Sequence, residues 1–244
     1  MSTEATPKWT EIELLPQWEE PYYHVYTARK HGKWVMLKTL KPPYNTDPRM
    51  RALIEIEFEV RYNLSHPNIV MINDFEEVPG LGLCIITDDV YGTSLQTLID
   101  RREVTPHHIN QLTTRLVDAI DYIQTNHIVH LPIRPQTIIF TENIANLKLI
   151  DVGFDQAQQL TPTDTATDIQ AFGRILSQAL AATSTPYPQL QRIADRCTSS
   201  RPYKSIHQLR MALARRSTPN FYIIIITFLL AMVAILGWLT YTAR

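Results

Sequence analysis

Residues 57–70 read EFEVRYNLSHPNIV, a helix that runs out through a Ser-His-Pro-Asn turn into an apolar strand. The helical pattern extends back to Arg49 and ends at Leu64. At 100° per residue, Leu53, Ile56, Val60 and Leu64 share one stripe. Glu57 falls in the middle of that stripe, whereas Glu55 and Glu59 face away. A carboxylate aimed at a core must meet a cation or shed its proton. The nearest candidate is Lys38, within the apolar strand WVMLKTL at 34–40. The same pattern also lets Glu57 snorkel at the edge of the stripe while Lys38 ends its strand in water.

Outward from this helix, the N-terminal part reads as strands. His24–Ala28 and Lys33–Leu40 flank the turn at Lys30-His31-Gly32, and Ile69–Phe75 and Leu83–Thr87 flank the turn at Pro79-Gly80. Residues 1–20 are polar and poorly periodic. After residue 100 the pattern turns helical. Thr105-Pro106 supplies a cap and a first-turn proline, and Ile109, Leu112, Leu116, Ile120 and Ile123 share one face. Short strands around Ile138–Phe140 and Leu147–Ile150 come next. Helices follow over Asp168–Ala181, Pro188–Cys197 and Ser205–Arg215. Strands first and helices afterwards is the order of an α+β domain in two lobes.

The chain has 244 residues, 45% of them hydrophobic and 19% charged, enough for a large core. Its 23 basic and 24 acidic residues give a formal charge of −1, so no general electrostatic attraction to nucleic acid is expected. The two cysteines, Cys84 and Cys197, make neither a disulfide scaffold nor a zinc site. Glycines number only seven, none before Gly32.

From Phe221 to Thr242 no residue is charged. As a helix this stretch rises about 33 Å, enough to cross a hydrocarbon core of about 30 Å. The alternative is a buried core helix, but core helices rarely stay apolar on every face for this length. Tyr222, Trp238 and Tyr241 stand near its ends, where aromatic side chains favour the membrane interface. Arg201, Lys204, Arg210, Arg215 and Arg216 precede the span with no acid among them, and only Arg244 follows it. The expectation is a single-pass anchor in the plasma or inner membrane with residues 1–220 in the cytoplasm.

Several segments together resemble the protein kinase superfamily, and they come in that family's order over roughly residues 20–215. Val35-Met36-Leu37-Lys38 resembles the strand carrying the kinase lysine. Residues 57–70 resemble the C helix and the turn after it. IITDDVYGTSL (85–95) resembles the hinge, with Thr87 at the gatekeeper position and Asp88–Val90 as the connector. HIVHLPIRPQTIIF (127–140) resembles the catalytic loop, and LKLIDVGF (147–154) the metal-binding segment. TDIQAFGRIL (167–176) and RCTSSRP (196–202) resemble the F helix and the late arginine motif. The resemblance implies a two-lobed kinase-like fold: a tail over 1–19, an N-lobe near 20–87, a reduced C-lobe near 91–215 and the membrane helix over 221–242. It also implies a nucleotide site of Lys38, Glu57, Thr87, Asp88, Arg134 and Asp151, with ATP and Mg²⁺ as cofactors. Asp151 would be the metal's carboxylate. His130 and Asp168 match positions that brace the catalytic loop.

The departures point the other way. The three loop-glycine positions hold Trp18, Glu20 and Tyr23, too bulky for backbone to approach phosphate closely. The aspartate that orients the substrate hydroxyl is Pro132, which cannot titrate. The metal-binding asparagine position holds Thr137, and Met36 stands where a small residue admits the purine. The stretch between Asp151 and Asp168 is short and lacks the Ala-Pro-Glu motif. The expectation is a pseudokinase, a membrane-held signalling or scaffolding module whose partner is a protein, such as an active kinase or a membrane complex. The alternatives are a divergent ATP-dependent serine/threonine-type kinase and a nucleotide-sensing switch without turnover.

Overall fold

A computed structural model describes residues 7–18, 21–127, 133–141, 147–150, 162–215 and 226–232. The N-lobe is an antiparallel five-stranded sheet of β1 (Trp9–Leu14), β2 (Tyr23–Lys30), β3 (Lys33–Leu40), β4 (Ile72–Val78) and β5 (Gly82–Asp88), in the order β1-β2-β3-β5-β4. The sheet begins with Trp9, before the expected boundary at residue 20, because Trp9–Leu14 pairs with β2 despite its weak alternation. His31 and Gly32 close the β2–β3 hairpin at φ of 49° and 82°. A tight two-residue turn needs both positive to match the strand twist.

Strand β3 is buried on both faces, which is why WVMLKTL is nearly continuous in apolar residues. Val35 and Leu37 pack with Ala28, Val78, Cys84 and Ile86 on one face. Leu40 packs with Ile54, Ile72 and Ile85 on the other. The helix α1 (Pro48–Tyr62) covers that second face, and its first turn is capped by Asp47, which accepts from Arg49 N–H at 2.8 Å.

The expected stripe on this helix is only partly right. Ile54, Glu57 and Arg61 are its buried residues, whereas Ile56 is 42% exposed. The helix serves two cores at once. Met50, Ile54 and Phe58 pack on the sheet, while Val60 packs on the C-lobe. One apolar stripe therefore does not describe it.

The turn after α1 ties the lobes together. Asn68, 1% exposed, donates through Nδ2 to the Leu147 carbonyl at 2.8 Å. Leu149 N–H donates to Asn68 O, and Val70 N–H donates to Leu149 O. Ile69 and Val70 are spent on this link, so β4 starts at Ile72 rather than Ile69. The C-lobe carries a small sheet of β6 (Gly92–Ser94), β7 (Ile138–Thr141) and β8 (Leu147–Leu149). Its helices are α2 (Leu95–Asp100), α3 (Pro106–Gln111), a π-helical stretch (Leu112–Leu116), α4 (Val117–Thr125), α5 (Pro162–Ala181), α6 (Pro188–Thr198) and α7 (Ile206–Arg215). The expected face of Ile109, Leu112, Leu116, Ile120 and Ile123 is at most 1% exposed and joins one core with Phe172 and Leu176. The short β6 and α2 have no strong period and were not expected.

No helix among the described residues is long and apolar enough to cross a membrane. Apart from the helical, exposed stretch 226–232, the expected span 221–242 lies outside the described residues.

Candidate functional site

The register of β3 sets the site. Val25 of β2 and Ile85 of β5 are the strand partners of Lys38. Alternation puts Met36, Lys38 and Leu40 on the face covered by α1. Lys38 donates through Nζ to Glu57 Oε1 at 3.1 Å, and the two side chains are 14% and 3% exposed. Of the two sequence alternatives, the structure thus holds the buried pair. Arg61, one turn further along α1 and 4% exposed, bonds the same oxygen at 2.5 Å. Arg61 is not among the residues expected from the sequence. Its signal was there, since a glutamate and an arginine at i and i+4 share a helix face, so the burial of one carries the other inward.

A second neighbour of Lys38 was also missed. Its Nζ lies 4.4 Å from the centroid of the Tyr23 ring. This tyrosine holds the third of the positions expected to be glycine. A cation over an aromatic face is attracted by the ring's quadrupole, so the residue that replaces a bare backbone also covers the lysine. On the same face Met36 is paired across the strands with Thr87. Both are buried, at 7% and 8% exposure, as are Val25 and Ile139.

A family model described as the protein kinase domain matches residues 22–201. The chain belongs to the protein kinase domain family. It is 30% identical over 149 residues to the serine/threonine-protein kinase TIO of Arabidopsis thaliana, covering 60% of this chain and 11% of that protein. It is 29% identical over 148 residues to the serine/threonine-protein kinase PknD of Mycobacterium tuberculosis, covering 59% of this chain and 22% of that one. The chain thus spans less than a quarter of the length of either relative. Among solved structures it is similar to the PknI kinase domain of Mycobacterium tuberculosis, with a TM-score of 0.65 at 20% identity. That match covers 89% of this chain and 100% of the PknI chain. At this identity the likeness concerns the fold alone.

In this kinase domain the expected site residues do not all converge. Lys38 and Glu57 come together, with Thr87 facing Met36 beside them. The Asp88 carboxylate is engaged elsewhere, accepting from Lys33 Nζ at 2.8 Å and from Asn73 Nδ2 at 2.9 Å. Burial pushes its pKa up, but these bonds outweigh burial and hold it below the ordinary carboxylate range. The connector expected at Asp88–Val90 thus has its first carboxylate tied to Lys33 and Asn73. Asp88 instead lines a groove of about 700 Å³ with Trp34, Pro67 and Met71. Arg134 is exposed, and its carbonyl accepts from Thr137 Oγ1 at 3.0 Å. Thr137, 7% exposed, thus has its hydroxyl proton held by the backbone.

Pro132, His130 and Asp151 lie outside the described residues. Asp168, 3% exposed, accepts from Gln124 Nε2 at 2.7 Å and so braces α5 against α4. No group of three metal-ligating side chains occurs among the described residues. Burial pushes the thiols of Cys84 and Cys197 up to about 11 and about 12, so neither is a nucleophile at neutral pH. Among the described residues, Lys38 Nζ packs against the Tyr23 ring and Met36 is buried opposite Thr87, while Asp151, the expected metal carboxylate, lies outside the described residues.

Proposed function

We propose that this chain is a pseudokinase: a kinase fold that binds a protein partner, with little or no phosphoryl transfer. The observation that carries the reading is the Tyr23 ring over Lys38 Nζ at 4.4 Å. Phosphoryl transfer depends on positioned cations near the phosphates, and here Lys38 Nζ packs against the ring of Tyr23, the first residue of β2. Pro132 adds to this, since it cannot accept a proton from a hydroxyl. Membrane anchoring through residues 221–242, with residues 1–220 cytoplasmic, completes the proposal. The partner class is an active kinase or a membrane complex.

The deciding experiment is phosphate transfer from labelled ATP with Mg²⁺ or Mn²⁺, using the full chain in detergent. The expected result is no incorporation above the background of Lys38→Ala. Turnover that disappears in Lys38→Ala and Asp151→Ala defeats the proposal. One observation favours the second reading, a divergent serine/threonine-type kinase: the Lys38–Glu57 pair is formed at 3.1 Å. An active kinase needs that pair, but it also links α1 to the sheet, so its presence alone does not establish turnover.

A further inference from the structure

Glu57 takes two cations on one oxygen, and the two bonds are not equivalent. Arg61 Nη1 is at 2.5 Å and Lys38 Nζ at 3.1 Å. Arg61 sits on the same helix as Glu57, so their pairing follows wherever α1 is helical. Lys38 reaches across from β3, and its side chain is the more exposed of the two, at 14% against 4%. A guanidinium is also better suited than an ammonium to a buried pair, being more weakly hydrated and always charged. Arg61 therefore shields α1 from the worst case, a buried carboxylate left without any cation. Apolar contacts then hold the helix down. Ile54 packs with Leu40, Ile72 and Ile85, and Phe58 stacks on Phe75 at 4.7 Å between centroids.

We propose that Arg61, more than Lys38, is the positioning residue that compensates the buried Glu57 carboxylate, so that the apolar contacts of Ile54 and Phe58 can keep α1 on the sheet. The inward position of α1 then depends less on the Lys38 bond than on this pair within the helix. A surface kept in one shape without a ligand suits a binding module. The inference stands on the ion-pair geometry and makes no claim about phosphate transfer, so either can fail without the other.

Amide hydrogen exchange across Pro48–Tyr62 in the full chain, with thermal melting alongside, tests it. In Lys38→Met, exchange changes by less than about threefold. In Arg61→Met it rises on the order of a hundredfold, because the buried carboxylate is left with only the longer bond from Lys38. Arg61→Lys recovers part of the protection. The double variant Glu57→Met/Arg61→Met removes both buried charges and recovers most of it, which loss of the arginine's packing alone would not allow. If Arg61→Met fails to fold, that failure beside a folded Lys38→Met and a folded double variant gives the same support. A Lys38→Met effect as large as that of Arg61→Met overturns the proposal, and so does a double variant no better protected than Arg61→Met.

Discussion

Under the proposed reading, Tyr23 and Met36 put large side chains where a nucleotide would need room. The consequence is measurable. Tyr23→Gly combined with Met36→Ala uncovers the lysine and empties the slot opposite Thr87. The variant loses about 2–5 kcal/mol of stability from the buried methionine. It is expected to gain a thermal shift with ATP and Mg²⁺ that the parent lacks, worth about 2.7 kcal/mol at ~100 times the dissociation constant. Melting each protein with and without nucleotide separates the two effects, and no gained shift sinks the claim that these side chains block the site. At this scale the sequence announced the substitutions themselves. It did not announce that the Tyr23 ring turns onto Lys38, since a ring's direction depends on the strand pairing beside it.

Elements show the same division. The α3 start was legible because its cap is local: Thr105 Oγ1 accepts from His108 N–H, and His108 Nδ1 accepts from Thr105 N–H. Such a cap needs an unprotonated ring nitrogen. Burial, then the charge of His107, holds the His108 pKa below its ordinary value despite an opposing backbone bond near Glu103. His66, whose Nδ1 accepts from Asn68 N–H at 3.1 Å, is lowered chiefly by burial as well. The folded state thus binds these protons less readily than the unfolded chain. Their contribution is present above about pH 6.5 and is lost as the pH falls below it. Denaturant melts between pH 7 and 5 are expected to show this decline, flattened in His66→Gln/His108→Gln, where a glutamine can still cap. An unchanged slope in the double variant refutes the assignment.

Helix packing was less legible. A Cβ on Gly173 of α5 would lie 2.4 Å from the Cys197 Cβ and 3.0 Å from the Ala194 carbonyl of α6. Gly173→Ala is expected to destabilise by about 1–3 kcal/mol, despite the roughly 1 kcal/mol that alanine gains in an isolated helix. Stabilisation on denaturant titration would contradict this packing.

Across the whole molecule, Asn68 stitches the lobes at one point. Asn68→Ala leaves the buried Leu147 carbonyl without its side-chain donor, a loss of about 1–3 kcal/mol measurable by equilibrium unfolding; a neutral result means that this bond does not hold the lobes. The full chain is expected to float with phosphatidylcholine vesicles and resist alkaline extraction. A chain ending at Arg216 is expected to stay at the bottom of the gradient, and equal behaviour of the two counts against the anchor.

The sequence alone determined the two-lobed kinase-like fold class and most of its main elements, because periodicity, caps and motif residues are carried by neighbours along the chain. It placed Lys38 against Glu57 as one of two alternatives. Only the tertiary structure decided between them, brought in Arg61 and Tyr23, and tied the Asp88 carboxylate to Lys33 and Asn73. Those outcomes depend on which faces meet when α1 settles between two cores and β3 is flanked on both sides, and contacts between distant segments leave no period in the sequence to read.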